Sequence, residues 1–432
     1  MALNMHLYYK RFSKYSMNSN TLSYFCRSDS ALLKTLLHSK PAIILGIETS
    51  CDDTGCGIVD STGTVLGEAI SSQHNIHLNF GGIIPSVAHS LHKSNITKVC
   101  EAAFRSANLK LQDISAVATT VKPGLHTSLD VGTKFGKYLA KIGKKPFIPI
   151  HHMEAHALTV RMMHKVCRII LVDFPYVVLL VSGGHCLLAI VEDVSKFYLL
   201  GTTLNNTPGE IFDKIARRLK LRNIPEFSTL NGGLAIETAA YRASNVNQFT
   251  FTPVMQHYRD CNFSFAGLLN TCLKYIEKQE KDHNIIADMT MPDVYNLCAA
   301  FQLAVVTHIC QRTQRAIEFI DNTSLFPKDK RTLVVSGGVA CNNVLVKALD
   351  IVSTKLGYNF VRTPPELCTD NGIMIAWNGI ERWVADTGVI RNENDIDKVH
   401  VVNNAQLGED WTKRVKEARI KCDWIKVNAE LT

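Results

Sequence analysis

Two stretches of this chain repeat one pattern: an apolar run, a short turn of glycine, hydroxyl and acidic residues, and a second apolar run. In the first, residues 42–47 and 55–59 flank the polar residues 48–54; in the second, Tyr176–Val181 and residues 186–192 flank Ser182-Gly183-Gly184-His185. Apolar runs of strand length joined by turn residues predict β-hairpins. After the first hairpin, residues 91–107 and 127–142 carry apolar side chains at helical spacing, and strands are predicted at 114–120 and 147–150. After the second, helices are predicted at 211–219, 234–243 and 291–320, and a strand at 332–335 opens onto Gly337-Gly338. Two α/β halves that each open with a hairpin predict a duplicated fold with a cleft between the halves. The first half is expected at 41–172, with part of 370–400 packing back on it, the second at 173–369, and a polar surface tail at 401–432.

Composition narrows the class. At 46% hydrophobic and 20% charged residues over 432 positions, wholesale disorder is excluded. No uninterrupted apolar run approaches the roughly 20 residues of a membrane span, so a soluble chain with no membrane partner is expected. The net charge of +8 is uneven: residues 1–40 hold Lys10, Arg11, Lys14, Arg27, Lys34 and Lys40 against Asp29 alone, a net +5. A basic leader that contains serine and almost no acid predicts a mitochondrial transit peptide and a matrix destination. The small remaining charge means that nucleic-acid affinity must come from local patches. The 13 cysteines form no C-x-x-C pair and are odd in number, which argues for reduced, buried thiols and against a disulfide scaffold or zinc ribbon.

Four groups of residues can carry chemistry. On a helix, His152 and His156 stand at i and i+4, so both rings emerge from one face and can share a cation. Glu154 lies about 200° round the helix from His152, unlike the glutamate of a zinc-protease motif. The turns Ser182-Gly183-Gly184-His185 and Ser336-Gly337-Gly338 follow apolar strands in both halves, where backbone amides can approach a phosphate closely. Neither has the spacing of a P-loop or of a dinucleotide fingerprint. Acids sit beside small residues in residues 48–53, in Gly209-Glu210-Ile211-Phe212-Asp213-Lys214, at Glu237 after Asn231-Gly232-Gly233, and in Cys368-Thr369-Asp370-Asn371; Asp370 can supply an oxygen to a two-histidine metal site. Singly, each acid is equally a cap or turn residue. Lys134, Lys137 and Lys141 share a helix face, and Lys214, Arg217, Arg218, Lys220 and Arg222 form a second basic cluster. These are solvated faces or, if the substrate is RNA, phosphate contacts.

Taken together, the chain resembles the tRNA N6-adenosine threonylcarbamoyltransferase family in its mitochondrial branch. The matching segments are Gly46-Ile47-Glu48-Thr49-Ser50-Cys51-Asp52-Asp53-Thr54-Gly55, Gly81-Gly82-Ile83-Ile84-Pro85-Ser86, residues 151–156, Val181-Ser182-Gly183-Gly184-His185 and residues 209–214. Phe263-Ser264-Phe265, residues 337–342 and Cys368-Thr369-Asp370-Asn371 continue the order. The resemblance implies an actin-like, two-lobed α/β fold of the sugar-kinase and heat-shock-protein type. It implies one divalent metal, zinc or iron(II), on His152, His156 and Asp370. It also implies an adenylate pocket of Val181, Ser182, Gly183, Gly184, His185, Asp213, Gly233, Glu237, Cys341, Asn342 and Thr369. The implied reaction moves the threonylcarbamoyl group from threonylcarbamoyl-adenylate to N6 of the adenosine immediately 3′ of the anticodon in mitochondrial tRNAs reading ANN codons, releasing AMP. No general base is indicated. A separate synthase would supply the adenylate, the enzyme would be a homodimer, and Lys134, Lys137, Lys141, Arg217 and Arg218 would meet tRNA phosphates. Asn205 and Asn206 stand where many relatives have aspartates, Cys186 where threonine is common, and Ala266 where serine is usual. An ATP-dependent kinase or chaperone of the same fold, and more remotely a metalloprotease, are the competing readings.

Overall fold

The computed structural model describes residues 40–79, 82–167 and 172–427. The basic leader therefore lies outside the described residues, apart from Lys40. From residue 43 the chain runs β1 (Ile43–Glu48), β2 (Asp53–Asp60), β3 (Val65–Ser72), α1 (Pro85–Ala107), β4 (Ala116–Lys122), α2 (His126–Gly143), β5 (Phe147–His151) and α3 (His152–Cys167). It continues with β6 (Tyr176–Val181), β7 (Cys186–Asp193), β8 (Lys196–Thr202), α4 (Pro208–Arg218), α5 (Gly232–Ala240), α6 (Ala266–Asp282) and α7 (Val294–Asn322). Then come β9 (Thr332–Ser336), α8 (Asn343–Lys355), β10 (Asn359–Arg362), α9 (Gly372–Val384) and β11 (Glu409–Asp410).

The duplication is visible in the strand order. The first sheet runs β3-β2-β1-β4-β5 and the second β8-β7-β6-β9-β10, with β11 added outside β8. In each, the first three strands are an antiparallel meander and the last two join in parallel. This is the actin-like arrangement. Both predicted hairpins gain a third strand. β3 escaped the sequence pattern because it is a half-exposed edge carrying Glu68, Ser71 and Ser72.

Side-chain periodicity sorts the layers. α1 and α2 cover one face of the first sheet through Ile96, Val99, Ala103, Leu139 and Ala140, against Leu45, Ile47, Ile58 and Val117. Its other face packs on α3 and α9, whose Met153, Leu158, Met374, Trp377 and Ile380 also meet Val178, Leu180 and Val334 of the second sheet. The remaining helices cover the far face of the second sheet. One contact in this stack is close enough to need glycine. A Cβ on Gly46 would come within 2.2 Å of the Ala376 nitrogen and the Gly372 oxygen, and one on Gly57 within 2.5 Å of the Ile373 nitrogen. The first turn of α9 thus rests directly on β1 and β2, beside the polar turn that follows Glu48.

α7 is by length and composition apolar enough to cross a membrane, although no such segment was expected. In the fold, 72% of its most apolar window is buried, and it serves as the core helix of the second half. The segment expected as a polar tail is structured: Val402 donates to the Val121 carbonyl, β11 pairs with β8, and Gln314 bonds the backbone of Asp423 and Ile425. Isolated apolar residues in a polar background (Leu407, Val415, Ile420 and Val427) provide its buried anchors.

Candidate metal centre and active site

His152 opens α3 directly after β5, so the strand end carries its ring into the interior. One helical turn on, His156 follows on the same face, the ring centroids 4.6 Å apart and perpendicular. Both side chains are buried. Asp370 arrives from the other end of the chain, two residues before α9, where Asn371 caps the helix by accepting from the Met374 amide at 2.8 Å. The Asp370 Oδ1 lies 3.2 Å from His156 Nε2 and 3.5 Å from His152 Nε2. The three donor groups fall within 4.8 Å of one another. Two imidazole nitrogens and one carboxylate oxygen converging in this way fit a divalent metal ion.

Electrostatics bind the cluster together. Burial works against an imidazolium at His152, but Asp370 and Glu48 overcome it and push the ring up to about 9. Burial likewise opposes the Asp370 carboxylate, and the histidines beside it more than offset this, holding it far below the ordinary range. His185, whose ring centroid is 6.3 Å from that of His152, is pushed down to about 4 by burial and then by the two neighbouring histidines. Glu48 was noted in the sequence only as one acid of a polar cluster. Here it is fully buried, with Oε2 3.2 Å from His152 Nδ1. An acid ending an otherwise apolar buried strand is the signal that could have singled it out.

The two glycine turns meet at the carboxyl ends of adjacent parallel strands, the usual place for a ligand in an open α/β sheet. Gly337 has φ +97°, and a Cβ there would strike the Val181 carbonyl at 2.4 Å. Gly183, Gly184 and Gly338 face open space. Thr207, at the start of α4, donates to the Gly183 carbonyl at 2.6 Å, so the helix amino end lies against the first turn. Asn342 caps α8 through the Leu345 amide, and the Asn343 amide donates to Glu237 at 2.8 Å. Asp213 takes the Gly232 amide, and a Cβ on Gly233 beside it would make only ordinary contact with the Asn231 side chain at 3.6 Å. Cys341 approaches the Pro365 carbonyl at 3.8 Å, linking this arc to the segment that ends in Thr369 and Asp370. Residues predicted from separate motifs thus form one arc, with two helix amino ends, that runs into the metal cluster.

Comparison with known proteins matches the chain over residues 64–377 to the family described as tRNA N6-adenosine threonylcarbamoyltransferase. A mitochondrial tRNA N6-adenosine threonylcarbamoyltransferase of Xenopus tropicalis is 49% identical over 387 residues, covering 90% of this chain and 93% of that protein. The chain belongs to this family. The mitochondrial enzyme of Homo sapiens is 47% identical, covering 89% and 91% of the two chains, and the enzyme of Paramagnetospirillum magneticum 38%, covering 79% and 91%. As a threonylcarbamoyltransferase family member the chain is a transferase, and it groups with the mitochondrial enzymes.

Other residues of this threonylcarbamoyltransferase have uses that the sequence did not show. Lys137 donates to the carbonyls of Val399 at 2.6 Å and Asp397 at 3.2 Å, and Lys141 holds the Asp397 carboxylate at 2.7 Å. Lys134 pairs with Asp130 at 2.7 Å, and Arg218 makes a two-pronged pair with Glu280. Lys137 and Lys141 thus also anchor residues 397–399, while Lys134 stays largely exposed. Arg217 is exposed. Asn205 accepts from the amides of Phe265 and Ala266 and donates to Ser264, so the amide in place of aspartate caps the start of α6. Glu154 pairs with Arg382 at 2.5 Å and takes no part in the metal cluster.

Proposed function

We propose that this enzyme transfers the threonylcarbamoyl group from threonylcarbamoyl-adenylate to N6 of the adenosine immediately 3′ of the anticodon in mitochondrial tRNAs reading ANN codons, releasing AMP. The observation that carries this reading is the convergence of His152, His156 and Asp370 on one point at the end of the glycine-lined arc. His152, His156 and Asp370 would hold one divalent ion, zinc or iron(II), which supplies Lewis acidity and a template for the threonylcarbamoyl oxygens when bound. The amides of the two glycine turns and the amino ends of α4 and α8 orient the adenylate phosphate. Asp213, Gly233, Glu237, Asn342 and Thr369 line the nucleoside side of the same arc. Holding both substrates in one cleft lowers the barrier by orientation. Arg217, exposed on α4, meets tRNA phosphate at the cleft mouth.

The leader of residues 1–40 directs import to the matrix, a separate synthase supplies the adenylate, and the enzyme works as a homodimer. The test is a transfer assay with zinc-loaded protein, threonylcarbamoyl-adenylate and unmodified mitochondrial tRNA. Modified adenosine and AMP should form in equal amounts. ATP turnover without tRNA, and no transfer, would favour a kinase or chaperone of the same fold.

A further inference from the structure

Glu48, at the end of β1, has no exposed surface. A buried carboxylate is costly unless donors surround it. Glu48 has three: the Ser50 amide at 2.5 Å on Oε1, and on Oε2 the Thr120 hydroxyl at 2.6 Å and His152 Nδ1 at 3.2 Å. An ionised carboxylate can only accept, so His152 must carry a hydrogen on Nδ1. The Ser50 hydroxyl, 3.2 Å from the same nitrogen, adds to this side of the ring. The nitrogen left facing Asp370 is Nε2. His156 has no such support, since its Nδ1 is buried without a partner among the described residues.

We propose that Glu48 is a positioning residue of the metal centre, holding His152 by its Nδ1–H so that Nε2, on the side of Asp370, is the nitrogen that meets the ion. The inference rests on the metal reading of His152, His156 and Asp370. Glu48 is fully buried and acts through the ring it orients, with Thr120 and the Ser50 amide fixing its own position. Carboxylate support of this kind raises the basicity of a metal-binding imidazole.

The experiment measures zinc affinity by chelator competition on the purified full chain, for the parent, Glu48→Gln and His156→Ala. Glutamine keeps the shape, but its amide can donate to Nδ1, which drives the ring hydrogen onto Nε2. Zinc affinity of Glu48→Gln should fall roughly 10–100-fold. In nitrogen-15 spectra of histidine-labelled, zinc-loaded parent protein, His152 should show a hydrogen on Nδ1 that Glu48→Gln loses. If Glu48→Gln binds zinc like the parent while His156→Ala does not, the positioning role is wrong and the metal centre stands. If His156→Ala also binds like the parent, the metal reading itself fails. A Glu48→Gln protein that loses zinc while His152 keeps its Nδ1 hydrogen would show that the loss does not run through the orientation of the ring, which overturns the proposal.

Discussion

At the scale of single residues, burial decides which histidines can carry charge. His308 on α7 accepts the Ser264 amide at 3.1 Å, and burial, followed by the charge of Arg312, pushes its ring down to about 3 from 6.5. Below pH 6.5 the unfolded chain binds a proton that the folded chain refuses. Stability is therefore complete above that pH and falls as acid is added toward pH 3. The slope is about 1.4 kcal/mol per pH unit for this group. His308→Gln should lose about 2 kcal/mol less than the parent between pH 7 and pH 5, read from denaturant unfolding at both values. Equal losses would show that the folded protein protonates His308 freely. The sequence offered no route to this assignment, because the same imidazole on a surface helix would titrate normally. The pairing of His152 with His156 was legible at this scale, since helical spacing alone puts the rings on one face.

Contacts between elements explain how distant parts of the chain reach the site. The close approach of α9 to β1 and β2 brings Asp370 beside a histidine pair more than 200 residues away in sequence. The obstructing atoms at Gly46 belong to backbone, so an added methyl cannot be relieved by a side-chain rotation. Gly46→Ala should destabilise the protein by about 3 kcal/mol and weaken zinc binding at the same time, measured by denaturant unfolding and chelator competition. Unchanged zinc affinity in a destabilised variant would mean that α9 shifts without carrying Asp370. The lysines of α2 teach the opposite lesson. Their spacing predicted a shared face, and two of the three, Lys137 and Lys141, also meet the chain's own segment at 397–399. Lys137→Ala should speed amide exchange at Val402, which bonds the Val121 carbonyl, and leave the salt dependence of tRNA binding unchanged. A flattened salt dependence would return Lys137 to the phosphate-binding surface.

Across the whole molecule, the C-terminal segment ties the two sheets together. It bonds β4 near Val121, adds β11 to β8, and ends against α7, where Trp424 stacks beneath the Arg315 guanidinium. Val415 is fully buried against the core of the second half. Val415→Asp should cost about 3 kcal/mol and lower the thermal midpoint, because the charge has no partner there. A midpoint equal to the parent's would show that the segment contributes little to stability. The anchors of this polar surface segment could not be read from the sequence, because its buried residues are isolated in polar surroundings and show neither helical nor strand period. The duplicated hairpins, the glycine turns and the histidine pair were legible because each depends on neighbours a few residues apart, where spacing alone determines which side chains share a face. The third strand of each meander, the role of Glu48, the commitment of Lys137 and Lys141, and the meeting of Asp370 with the histidines were decided only by the tertiary structure. Each depends on what another part of the chain places opposite a residue, and a buried acid or an extended lysine takes its role from that partner.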